Sequence, residues 1–130
     1  MAISVGSATT MGLRSDGTVV YTNDPPILQG WPKSLKDVND WTDIVTIYVD
    51  YSFALGIRRD GTVVTNDSSY DFSNWTDIVA ISSDHHLTAG IRSDGTVVAV
   101  SDRRNSWGES LANADGECNV SGWTNIKLPD

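Results

Sequence analysis

Cysteine occurs once in the 130 residues, at Cys118, which excludes an intramolecular disulfide framework and a cysteine-rich metal site. Basic residues are also scarce. Lysine and arginine total 9 against 17 aspartates and glutamates, and the net charge of −8 with a pI near 4.4 argues against nucleic acid or anionic membrane as partner, since both repel an acidic surface. No apolar run approaches the ~20 residues of a membrane-spanning helix. The start, Met1-Ala2-Ile3-Ser4-Val5-Gly6, lacks the charged n-region and apolar stretch of a signal peptide, so a cytoplasmic location is the default expectation. Phosphate-binding loops, nucleophile elbows and paired-carboxylate motifs are missing as well. The two histidines, His85 and His86, follow Asp84, but neighbouring side chains on one turn rarely converge on one ion, and no third ligand follows at a suitable spacing. The expectation is a non-enzyme without catalytic residues, metal or cofactor.

What the chain has is repetition. Gly12-Leu-Arg-Ser-Asp-Gly-Thr-Val-Val20 returns as Gly56-Ile-Arg-Arg-Asp-Gly-Thr-Val-Val64 and Gly90-Ile-Arg-Ser-Asp-Gly-Thr-Val-Val98. A second motif runs in step: Trp41-Thr-Asp-Ile44, Trp75-Thr-Asp-Ile78 and Trp123-Thr-Asn-Ile126. Periodicity of this kind decides the architecture before single residues are read. From Trp41 to Asp60 and from Trp75 to Asp94 is 19 residues in both cases, whereas Asp16, Asp60 and Asp94 lie 44 and then 34 residues apart. The Trp-to-turn half is fixed, and the turn-to-Trp half varies as surface loops do. Variation therefore falls in roughly 22–37, 65–73 and 101–119. Ala2-Ile3-Ser4 aligns on Thr46-Ile47-Tyr48 and Ala80-Ile81-Ser82, so the first unit lacks the Trp-led opening that 123–130 carries in surplus.

Within a unit, apolar β-branched runs alternate with turn signals. Asp77 to Ser82, Leu87 to Arg92 and Thr96 to Val100 read as three strands. The Asp-Gly between the last two marks a hairpin, because glycine accepts a positive φ. A fourth strand is expected ahead of each Trp, at 37–39, 71–73 and 119–121. Four short antiparallel strands in each of several units of about 40 residues predict an all-β fold, a β-propeller with one four-stranded blade per repeat. The blade cores fall at about 2–22, 41–66 and 75–101. Trp41, Trp75 and Trp123 read as blade-packing residues, because a packing role recurs in every blade. The repeated Asp16, Asp60 and Asp94 read as turn residues on the same ground.

These motifs, together with Gly116-Glu-Cys-Asn-Val-Ser-Gly-Trp123, resemble the regulator of chromosome condensation repeat, and the resemblance spans almost the whole chain. It implies a propeller, commonly seven-bladed in that family. Its members include a guanine-nucleotide exchange factor, ubiquitin-ligase segments and bacterial inhibitors of β-lactamases; they share a protein-binding surface, not a chemistry. The family glycine after the first strand aligns with Gly6 but also with Asp50 and Asp84, and its frequent histidine aligns with Thr9, Phe53 and Leu87. No exchange-factor or inhibitor residue is carried over on that match.

Three blades are too few for a ring, since propellers have roughly four to eight, and an open arc exposes apolar faces and sheet edges. The expectation is two chains joined head to tail as a six-bladed homodimer, with the 123–127 strand completing a blade of the other copy. Ile3, Trp123 and Ile126 would form that interface. A protein partner is expected at the loop-rich edge, on Trp31, Tyr51, Tyr70, Phe72, His85, His86 and Trp107, because exposed aromatics anchor protein interfaces. Trp31 and Trp107 have no counterparts in other repeats. The function expected is a non-enzymatic protein-interaction module; the alternatives are a carbohydrate or small-ligand binder using the same aromatics, and an architectural propeller piece that mainly self-assembles.

Overall fold

Each Thr-Val-Val run folds back on the strand before it. The computed structural model describes residues 2–6, 9–22, 35–50, 53–67, 70–84, 86–101, 107, 116 and 118–129. They form nine strands in three separate sheets: β1 (Ala2–Val5), β2 (Thr10–Leu13) and β3 (Val19–Tyr21); β4 (Ile44–Asp50), β5 (Phe53–Arg58) and β6 (Val63–Thr65); β7 (Ile78–Asp84), β8 (Leu87–Arg92) and β9 (Val97–Ser101). Every pair is antiparallel and joins consecutive strands. Among the described residues the remaining regular element is a 3-10 helix, Leu35–Asp40.

The fourth strand expected in each unit is not formed: each sheet has three strands. The segments before the tryptophans curl into turns instead. Trp41 N–H donates to the Val38 carbonyl at 3.1 Å, Trp75 N–H to Phe72 at 2.9 Å and Trp123 N–H to Val120 at 2.9 Å. Asp71 tightens the second of these by accepting from Ser73 N–H at 2.9 Å and Ser73 Oγ at 2.6 Å. A backbone bonded to itself over three residues has few groups left to extend a ladder.

The hairpins obey one local rule. Arg14 N–H donates to the Thr18 carbonyl at 2.9 Å and Gly17 N–H to the Arg14 carbonyl at 3.0 Å, and the same bonds recur at Arg58, Gly61 and Thr62 and at Arg92, Gly95 and Thr96. Gly17, Gly61 and Gly95 all sit at φ 82°, the left-handed position that closes a three-residue hairpin loop. The preceding aspartate fixes the loop from the other side. Asp16 Oδ1 accepts from Thr18 N–H at 3.0 Å and Thr18 Oγ1 at 2.6 Å, with matching pairs at Asp60 and Thr62 and at Asp94 and Thr96.

The core lies between consecutive sheets. Met11, Leu13 and Val19 of the first sheet meet Trp41, Ile44, Ile47, Val49 and Ala54 of the second unit. Leu55 and Ile57 of the second sheet then meet Phe72, Trp75 and Ile78 of the third unit. Strand β5 is buried on both faces, with Ala54 turned to one cluster and Leu55 and Ile57 to the other. Two-sided burial explains why its run is apolar throughout instead of alternating. Glycine at the middle of β5 and β8 lets the indoles lie on the strand. A Cβ at Gly56 would come within 3.1 Å of Trp41 Cε3, and one at Gly90 within 2.8 Å of Trp75 Cζ3.

The three hairpin glycines differ in what surrounds them. A Cβ at Gly61 would fall 2.7 Å from Asp77 Cα, backbone that cannot yield, whereas at Gly95 the nearest atom is Asn125 Cα at 3.4 Å. Both positions carry the left-handed cost of roughly 1–2 kcal/mol for a residue with a Cβ. Chemical denaturation is expected to show Gly95→Ala losing about that much and Gly61→Ala clearly more; equal losses would contradict the close approach.

Candidate interaction surfaces

Antiparallel alternation gives every sheet two distinct ends. At one end lie the Asp-Gly hairpins, and against each sits the opening of the next unit. Ile44 N–H donates to the Gly17 carbonyl at 3.1 Å, Ile78 N–H to Gly61 at 3.0 Å and Ile126 N–H to Gly95 at 3.1 Å. Asp43, Asp77 and Asn125 occupy φ 58°, 57° and 56°, a left-handed position that Asp and Asn tolerate better than other side chains. This accounts for the acidic-or-amide third residue of each Trp-Thr-Asp/Asn-Ile motif. A return bond closes two of the joints, Arg59 N–H to the Asp43 carbonyl at 2.8 Å and Ser93 N–H to Asp77 at 2.9 Å. After each joint the register shifts at Ile44/Thr46 and Ile78/Ala80, a bulge that leaves Val45 and Val79 exposed.

At the other end lie the turns joining β1 to β2, β4 to β5 and β7 to β8, with the connectors that leave β3, β6 and β9. His86 is exposed on the last of these turns. Trp107 is 84% exposed. Tyr70 and Phe72 are each 6% exposed and stand in a ladder of rings: Phe53 to Tyr70 at 4.8 Å, Tyr70 to Phe72 stacked at 5.7 Å, and Phe72 edge-on to Trp75 at 4.8 Å. Such contacts bind the β6 connector to the core and leave these two rings little surface to offer a partner. Phe72 also occupies the repeat position of buried Val38 and Val120, three residues before each Trp; that recurrence is the signal, visible in the sequence, that marks it as packing. Trp31, Tyr51 and His85 lie outside the described residues. His86 and Trp107 are thus the partner-face candidates described on the surface.

Of the residues expected at a junction between copies, Ile3 is 74% exposed, Trp123 is 54% exposed and Ile126 is half-buried. Neighbouring sheets also exchange polar bonds that the sequence did not signal. Ser4 Oγ accepts from Val49 N–H at 2.9 Å, and Tyr48 O–H donates to the Ser83 carbonyl at 2.6 Å. A cleft of about 190 Å³ opens between β6 and the Tyr70–Trp75 segment, below the ~300 Å³ at which small-molecule sites begin. Among the described residues no group of three or more His, Cys, Asp or Glu side chains is placed to hold a metal ion, and no helix is long and apolar enough to cross a membrane. The chain matches no protein-family model and no curated protein.

The Asp16, Asp60 and Asp94 carboxyls are held below their ordinary value of 3.8, first by the Thr hydroxyl two residues on and next by that threonine's N–H. The fold thus prefers the ionised form. Its contribution is complete above pH 3.8 and drains away as pH falls through the lowered values. A chain carrying Asp16→Asn, Asp60→Asn and Asp94→Asn is expected to melt below the natural chain at neutral pH, with the gap closing as pH drops below 3.8. A gap independent of pH in thermal melts would contradict this.

Proposed function

We propose that the chain is a non-enzymatic protein-interaction module, an arc of a propeller of the regulator of chromosome condensation type. Its ring is completed by a second chain, and its loop-bearing edge faces a protein partner. The observation that carries this reading is the contrast between frame and edge. One set of hairpin and joint bonds serves all three units, while Trp107, which has no counterpart in that frame, is 84% exposed. An indole kept out of the core is the kind of anchor that protein interfaces favour. The repeated motifs quoted above, three sheets stacked in chain order and an acidic surface support the same reading. Three such blades fall short of the four to eight in a closed propeller, and two chains supply six.

The expected outcome in a capture experiment is that immobilised natural chain retains a discrete protein, while Trp107→Ala retains it about tenfold less, the loss of one interface anchor. Circular dichroism should be unchanged by the substitution. Equal retention by both chains, or none by either, would argue against the proposal.

A further inference from the structure

Among the described residues, the first sheet and the last joint each lack what the other holds. Gly12 occupies in β2 the place that Gly56 and Gly90 occupy in β5 and β8: it pairs with Ile3 and Val20, as Gly56 pairs with Ile47 and Val64 and Gly90 with Ile81 and Val98. An indole covers the other two glycines, but a Cβ built at Gly12 would meet Val20 Cγ2 at 3.3 Å and no indole. The seat is vacant among the described residues. Conversely, Trp123 is placed by the same turn bond to Val120 and followed by the same left-handed residue and the same Ile-to-Gly bond as its counterparts. Yet it is 54% exposed where Trp41 and Trp75 are 6%.

The polar groups at the two ends match in the same way. Arg58 and Arg92 pair with Ile44 and Ile78, whereas β1 begins at Ala2 opposite Leu13, so no described residue stands opposite Arg14. Ser15 is the equivalent of Arg59 and Ser93, whose N–H groups reach the Asp43 and Asp77 carbonyls. The corresponding bond, Ser15 to Asn125, is not made within the chain among the described residues. Ile3 and Val5, 74% and 71% exposed, stand where the second sheet has buried Ile47 and Val49.

Resting on the propeller reading above, we infer that the Trp123–Ile126 segment of one copy completes the first sheet of a second copy. Trp123 lies on Gly12 of the second copy, Ile126 pairs beside its Arg14, and the Asn125 carbonyl receives its Ser15 N–H. Ile3 and Val5 of the second copy are thereby covered by the outer face of β7–β9. The occupant is a second copy of this chain because the two surfaces reproduce, register for register, a contact that the chain already makes twice internally. The contact is head to tail, so it recurs; two copies place it twice and close a ring of six sheets.

Sedimentation and native mass measurements on the 130-residue chain test this. The natural chain is expected at twice its 14.1 kDa. Gly12→Leu fills the seat, its Cβ meeting only Val20 Cγ2, at 3.3 Å, among the described residues, and Trp123→Ala removes the ring. Each variant alone is expected at single-chain mass with an unchanged β-sheet spectrum and association at least about a hundredfold weaker, because every two-chain ring then carries two damaged seams. An equimolar mixture of the two variants should recover the two-chain mass in part, since one seam of a mixed pair joins an intact Trp123 to an intact Gly12. If either variant loses its fold, Arg14→Cys with Ile126→Cys in a Cys118→Ser background keeps the inference testable. The pair mimics Arg58 and Ile44, directly opposed residues flanked by the Arg59-to-Asp43 bond, a geometry that a disulfide spans. Mild oxidation should then give a covalent two-chain species.

A folded natural chain of single-chain mass, no recovery on mixing, or no intermolecular disulfide would overturn the seam. A folded single chain that still retains its protein in the Trp107 comparison sinks the seam alone. A two-chain ring that retains none sinks the interaction reading alone.

Discussion

An indole can lie flat against a β-strand only where the strand has no side chain in the way. That single constraint, Trp41 on Gly56 and Trp75 on Gly90, organises the molecule. It sets how closely the openings of the second and third units fold over their own sheets, just ahead of the left-handed Asp43 and Asp77. The isoleucine N–H is then aimed at the hairpin glycine carbonyl of the unit before. Tryptophan, glycine and hairpin form one device, so the sequence repeats them together and lets the rest drift. Hydrophobic area drives the stacking, and these contacts mark both boundaries between consecutive sheets.

Much of this arrangement is legible in the chain itself. The Asp-Gly hairpins, their glycines at positive φ, the packing role of Trp41 and Trp75 and the all-β class follow from motif spacing and turn chemistry. The fourth strand does not. Segments 37–39, 71–73 and 119–121 carry no alternation strong enough to outweigh the three-residue turn that leads into each Trp, and a local hydrogen bond forms without waiting for a distant strand. The site residues divide in the same way. Tyr70 and Phe72 sit in a connector of variable length, which reads as surface, yet the connector of the second unit is short enough to be drawn inward by Phe53 and Trp75. The bonds from Ser4 to Val49 and from Tyr48 to Ser83 were not legible in the sequence, because Ser4 and Tyr48 share one repeat position but differ in side chain, and their partners lie 45 and 35 residues away.

The two ends of the sheets are built differently. At the hairpin end the hairpin bonds and the Ile-to-Gly bond appear three times over and the side chains are nearly identical, as a load-carrying joint requires. At the opposite end the connectors differ in length and composition, and the turn from β7 to β8 carries an exposed histidine, His86. Separation of this kind lets the loop-bearing edge change without touching the contacts that hold the sheets together. It also makes stability a matter of neighbours, since the middle sheet, buried on both faces, is clamped twice and each outer sheet once.

Because the boundary between one unit and the next is always the same glycine carbonyl meeting the same isoleucine amide, an exchange within the gene between two of the Asp-Gly-Thr-Val-Val stretches would add or delete one whole sheet and rebuild a sound boundary where it fell. One unit is therefore the smallest step by which such an array can lengthen or shorten without leaving a mismatched boundary between sheets.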